Sequence, residues 1–139
     1  MKIFVYFIGK PRDAHANAMA AEFLKRSGRY ADCAMREIVP ARFDLFDRHP
    51  SARKVFLDPG GRTLDSVGFA ELILQGERNA QDIAFLVGGH DGLPPPWKSR
   101  ADILLSLSAM TFPHEMARAM LLEQIYRAFA TLRGHPYPR

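Results

Sequence analysis

The sequence predicts an α/β domain built on a mostly parallel sheet. Two observations carry that expectation. Short, continuous apolar runs, at residues 3–8 and Ile83–Val87, have the composition of strands buried on both faces. Between such runs lie stretches with apolar residues at helical spacing, and strands that alternate with helices imply parallel crossover connections. The 139 residues suit one domain spanning 1–139 with its own core. No stretch approaches the length of a membrane span.

Residues 3–8 open the sheet, and Gly9-Lys10-Pro11 ends that strand. The run is too short for a secretory leader and lacks a small-residue cleavage site. A helix follows over about 13–27 with Ala16, Met19, Ala20, Phe23 and Leu24 on one face. It closes on Lys25 and Arg26, which complement the helix dipole, and on Gly28 as a stop. Residues 34–39 make the second strand, and 40–51, without a period, read as a loop. Residues 55–57 make a short third strand turned by Asp58-Pro59-Gly60-Gly61. Asp65 or Ser66 caps a helix to about Gln75, ended by Gly76 and Asn79. Ile83–Val87 runs directly into Gly88-Gly89-His90-Asp91-Gly92. Prolines 94–96 open a short helix through Trp97, and 103–105 make the last strand.

The final helix starts at Pro113, whose fixed φ and missing N–H suit a first turn. It is apolar almost all round, through Met120, Ile125 and Phe129 on one side and Ala117, Leu121, Leu122 and Tyr126 on another. A helix with its back to water carries a narrower stripe. Burial on two sides is therefore expected, with a partner subunit as a candidate for the second. Glu123 and Arg127 make a favourable i,i+4 pair, whereas Arg118 has no such neighbour.

Ligands of open α/β sheets bind at the carboxyl ends of strands. Three loops leave such ends here, at 57–61, 87–92 and 106–114, and their glycines let backbone approach a ligand closely. They have neither the GxGxxG spacing of a dinucleotide site nor the Lys-Ser/Thr ending of a phosphate loop. A small ligand held by main-chain groups and apolar walls fits better than a phosphate. The five histidines are scattered, no metal-ligand cluster appears, and no serine sits in a GxSxG elbow. The lone Cys33 excludes an internal disulfide and points to a reducing, cytoplasmic setting. A net charge of +4 permits an anionic partner such as nucleic acid. His114 suits a capping or packing group as well as a functional one, and Arg118 either holds a substrate or a partner's acidic group or lies along the surface. His90 beside Asp91 is a weaker acid/base candidate, since neighbours in a turn are usually solvated.

Several segments together carry a resemblance. They are Leu57-Asp58-x-x-Gly61, Leu86-Val87-Gly88-Gly89-x-x-Gly92-Leu93, the run from Leu105 to His114, Leu122-Glu123-Gln124-x-Tyr126-Arg127-Ala128, and His135-Pro136-Tyr137. In that order they resemble the 23S rRNA (pseudouridine-N3)-methyltransferases of the SPOUT class. The resemblance spans the chain and is strongest over 55–137. It implies a trefoil-knotted α/β fold and a homodimer with the pocket beside the interface. It implies S-adenosylmethionine as cofactor, lined by Leu57, Gly89, Ser108, Ala109, Met110, Thr111, Phe112 and Pro113, and no metal. The implied substrate is a pseudouridine of 23S rRNA on the assembled ribosome. The imide proton of N3 must leave that base, and Arg118, His114 and Tyr137 are the candidates to assist. His135, Tyr137 and Arg139 are candidates for contact with RNA. Two departures stand out. Pro138 occupies the place of a histidine in the family's usual ending, and the 42–53 stretch is shorter than in relatives. Two rivals follow: a SPOUT enzyme acting on another RNA such as tRNA, and a non-catalytic RNA- or ribosome-binding dimer, which the missing tail histidine suggests.

Overall fold

Strands β1 (Lys2–Ile8), β2 (Asp32–Ile38), β3 (Arg53–Thr63), β4 (Ile83–Val87) and β5 (Ile103–Ser106) form one sheet in the order β2-β1-β4-β3-β5. Every neighbouring pair is parallel, as the doubly apolar runs predict. The computed structural model describes residues 1–138, so the candidate RNA contact Arg139 lies outside the described residues. Helices α1 (Ala14–Ser27), α3 (Ser66–Arg78) and α5 (His114–Leu132) bury the larger core, in which Ile3, Val5, Ile73, Phe85, Leu121 and Phe129 meet. The other face is closed by α2 (Leu45–Arg48) and α4 (Pro95–Lys98). There Tyr6, Phe46, Phe56 and Leu86 form a second cluster, and Trp97 stands edge-on to Phe46 at 5.5 Å.

Four details differ from the expectation. The 40–51 stretch is not all loop: α2 lies within it. Asp44 caps that helix by accepting the N–H groups of Phe46 at 3.0 Å and Asp47 at 3.1 Å. A four-residue helix shows no period, so only the cap could have revealed it. Second, residues 58–61 do not end β3. They bulge out of it, because Leu57 and Arg62 both register with Leu105 of β5. A Cβ at Gly61 would stand 2.5 Å from the Leu104 carbonyl oxygen, so nothing larger fits there. Third, α3 continues two residues past Gly76 and is capped at Asn79, the second of the two expected stops; a Cβ on Gly76 would come 2.7 Å from Met1 Sδ, which would have to shift.

The fourth concerns α5. Its two apolar sides are largely covered by its own chain, through α1 on one flank and α3 on the other. What stays open is Met116, 49% exposed, and Met120, 36% exposed, beside Met19 of α1 at 56%. From β5 at the sheet edge the chain crosses back to α5, which packs on α1 and β4. Among the described residues no helix is long and apolar enough to cross a membrane.

Candidate active site

The carboxyl ends of β3, β4 and β5 and the first turn of α5 enclose a cleft of about 230 Å³. Leu57, Val87, Leu105 and Leu107 supply apolar wall, and Gly88, Gly89 and the 108–112 segment present main-chain groups. That segment is shaped by its own serines. Ser106 Oγ donates to the Ser108 carbonyl at 2.8 Å, and the Met110 N–H donates to Ser108 Oγ at 3.0 Å. Gly89 is required by proximity, since a Cβ there would meet the Ile8 carbonyl oxygen at 2.8 Å. A Cβ on Gly9 would sit 3.9 Å from His114 Nε2 and 4.0 Å from Gly89 Cα, so the ends of β1 and β4 and the start of α5 converge.

Among the described residues no Lys or Arg lines the cleft. Asp58 is at its mouth, with Lys98 Nζ 3.4 Å from its carboxylate. Apolar walls, nearby main-chain groups and the lack of Lys and Arg suit a cofactor without phosphates. No three His, Cys, Asp or Glu side chains gather as a metal would require, again among the described residues.

The candidate cofactor residues Leu57, Gly89, Ser108, Met110, Thr111 and Phe112 all line this cleft, as does the catalytic candidate His114. Ala109 and Pro113 belong to the same loop but do not face the cleft. Arg118 turns away from it. It is 2% exposed, lies 3.9 Å over the Phe7 ring, and donates to Asn17 Oδ1 and, at 3.2 Å, to Met35 Sδ. Among the described residues no carboxylate is within ion-pair distance of it, and burial lowers its pKa against a weaker upward pull from Glu115. Asn17 in turn donates through Nδ2 to Glu115 at 3.1 Å. Glu115 also accepts the N–H groups of Arg12 at 2.7 Å and Asp13 at 3.0 Å, and the Arg12 bond is the main reason its carboxyl lies below the usual range. Asn17, Glu115 and Arg118 thus bracket the first turns of α5, which carry His114, to α1 and the loop before it. No sequence signal marks Asn17, because its partners lie 98 and 101 residues away.

Tyr137 is also outside the cleft of its own chain. Its hydroxyl donates to Glu123 at 2.6 Å, and its ring stands edge-on to Tyr126 at 4.8 Å. Burial and the bond to Glu123 push its pKa up to about 12. Glu123 follows His114 by nine residues, a separation of about 13 Å along a helix. Glu123 also holds Arg127 at 2.6 Å, the pair expected from their spacing. His135 is exposed, in a groove it shares with Lys25 and Arg29.

A parallel sheet whose strand ends close on a small, largely apolar cleft, without Lys or Arg among the described residues, is the architecture of an α/β fold with a ligand site at its carboxyl edge. The family model described as "Predicted SPOUT methyltransferase" matches residues 1–138. The chain belongs to the SPOUT methyltransferase family. It is 66% identical over 139 residues, all of both chains, to the ribosomal RNA large subunit methyltransferase H of Solibacter usitatus (strain Ellin6076). The matching lengths mean that this relative is equally short. Among solved structures, a probable methylase family protein from Haemophilus influenzae Rd KW20 aligns with TM-score 0.66 and 13% identity, over 99% of this chain and 70% of that one. An AdoMet-bound rRNA methyltransferase from Sinorhizobium meliloti aligns with TM-score 0.56 and 14% identity, over 91% and 56%. At such identities the likeness to the solved structures is one of fold.

Proposed function

We propose that this chain is an S-adenosylmethionine-dependent methyltransferase that methylates N3 of a pseudouridine in 23S rRNA on the assembled ribosome. The carrying observation is its full-length, 66% identity to a ribosomal RNA large subunit methyltransferase H. The cleft supports the cofactor: apolar walls suit an adenine ring, and the main chain of Gly89 and 108–112 suits its polar edge. When bound, S-adenosylmethionine supplies an electrophilic methyl on a sulfonium, so the protein has chiefly to align the acceptor and remove a proton. His114 is the cleft group that takes the N3 proton. Arg118 and Tyr137, which do not face the cleft of their own chain, support α5 in place of acting on the base. His135 remains a candidate RNA contact.

The protein works as a single-domain homodimer in the cytoplasm, where assembled ribosomes are. Met19 and Met120 on one groove, with Met116 a turn away, offer a second copy an apolar surface next to the cleft. The return of the chain from β5 to α5 fits a trefoil threading.

Purified protein with labelled S-adenosylmethionine and ribosomes, free rRNA or tRNA tests the reading. Methyl on one ribosomal pseudouridine, found by mass spectrometry, is the expected result. Transfer to tRNA would replace the substrate. Pro138 at the tail favours the non-catalytic rival, and absence of both cofactor binding and transfer would establish it. His114→Ala should slow transfer by at least about 100-fold with cofactor affinity retained.

A further inference from the structure

We propose that a groove between β2 and the start of α1, floored by Arg118 and rimmed by Arg12 and Arg36, binds RNA phosphates flanking the target nucleotide. The inference rests on the RNA reading above. Its first support is position. All strands are parallel, so their carboxyl ends share one edge. The cleft takes the β3, β4 and β5 part of that edge, and this groove takes the β1 and β2 part. Gly9, against both His114 and Gly89, opens the short loop that carries Arg12, so one loop connects the wall of the cleft to the rim of the groove.

Charge is the second support. No Lys or Arg lines the cleft among the described residues, whereas Arg12, Arg118 and Arg36, the last at the sheet edge with its guanidinium 5.2 Å over the Phe43 ring, line the groove against one carboxylate, Glu37. Glu115 lies nearby, but its oxygens are occupied by two backbone N–H groups and Asn17. Arg118 is the most telling. A buried cation without an anion is costly, and a brace needs no charge. Both its terminal nitrogens have protein acceptors, and among the described residues no buried side-chain nitrogen lacks a partner. Its Nε makes no hydrogen bond among the described residues, and Arg118 is one of the residues lining the groove. The guanidinium groups of Arg12 and Arg36, which make no side-chain ion pair among the described residues, match phosphate in charge and in planar geometry, and Arg118 adds positive charge beneath them.

The Arg12→Ala/Arg36→Ala double variant tests this. Its KM for ribosomes should rise about tenfold with kcat and cofactor affinity near the parent's. The slope of log affinity against log salt should flatten by about 2, one for each lost phosphate contact. An Arg53→Ala/Arg78→Ala variant makes the same charge change at the opposite edge of the sheet and should leave both readings unmoved. The proposal falls if the first variant matches the parent, or if the second loses as much. Should the parent transfer no methyl to ribosomes, the functional reading fails first. Anisotropy with a labelled single-stranded RNA then applies the same criteria to the groove alone.

Discussion

Arg118 and Arg127 sit on the same helix and live in opposite electrostatic settings. Arg127 is clasped by Glu123 one turn earlier, and the carboxylate raises its pKa. Arg118 is more deeply buried, has no carboxylate within ion-pair distance among the described residues, and is lowered by desolvation, which outweighs the more distant Glu115. The first pair is local, so a spacing rule finds it. The second is a contact between elements 101 residues apart, held by a neutral amide, a thioether and an aromatic face. A helix can therefore keep one cation inexpensively by its own sequence, while another depends on the whole fold being assembled.

Breaking the long-range contact should cost most. Arg118→Ala leaves Asn17 and Phe7 facing a void, with a loss of about 2–4 kcal/mol in urea denaturation. Arg127→Ala removes an i,i+4 pair that is only partly buried and should cost less than about 1 kcal/mol. Equal losses would erase the distinction. Asn17→Ala comes next, at about 1–2 kcal/mol, because both Glu115 and Arg118 lose a partner.

Titration sharpens the contrast between the two ends of α5. Glu115 has a lowered pKa, so its contribution is present above 4.5 and fades as pH falls below that value. Acid should loosen the 10–13 loop first, which amide exchange in that loop would register. Tyr137 runs the other way. Its pKa rises from 10.0 to about 12, so the docked tail keeps its full contribution below 10 and loses it between 10 and 12. Tyrosinate absorbance that appears at the ordinary value for all four tyrosines would contradict the clasp.

Strand and helix order was legible because each major element carries a period or an apolar run of its own. The three cleft loops were legible too, since glycine and serine after a strand mark backbone exposed at a sheet edge. What escaped were features with non-local causes. Gly76 looks like a helix stop until Met1 is packed against it. That α1 and α3 of the same chain flank α5 is a contact between distant segments, which its own apolar pattern does not specify. Arg118 looks like a loose cation because its partners are on α1, β1 and β2. Tyr137 needed the tail to fold back onto Glu123, which no spacing rule anticipates.

The bulge at 58–61 bears on traffic through the cleft. It is riveted to β5 on both sides, at Leu57 and again at Arg62. Its ends cannot part without unzipping the sheet, so that wall cannot swing. The facing 108–113 segment is fastened mainly by its own serine bonds, and Met110 at its tip is 76% exposed. Of the two walls, the bulge is held by the sheet on both sides, and the 108–113 segment is held by contacts within itself.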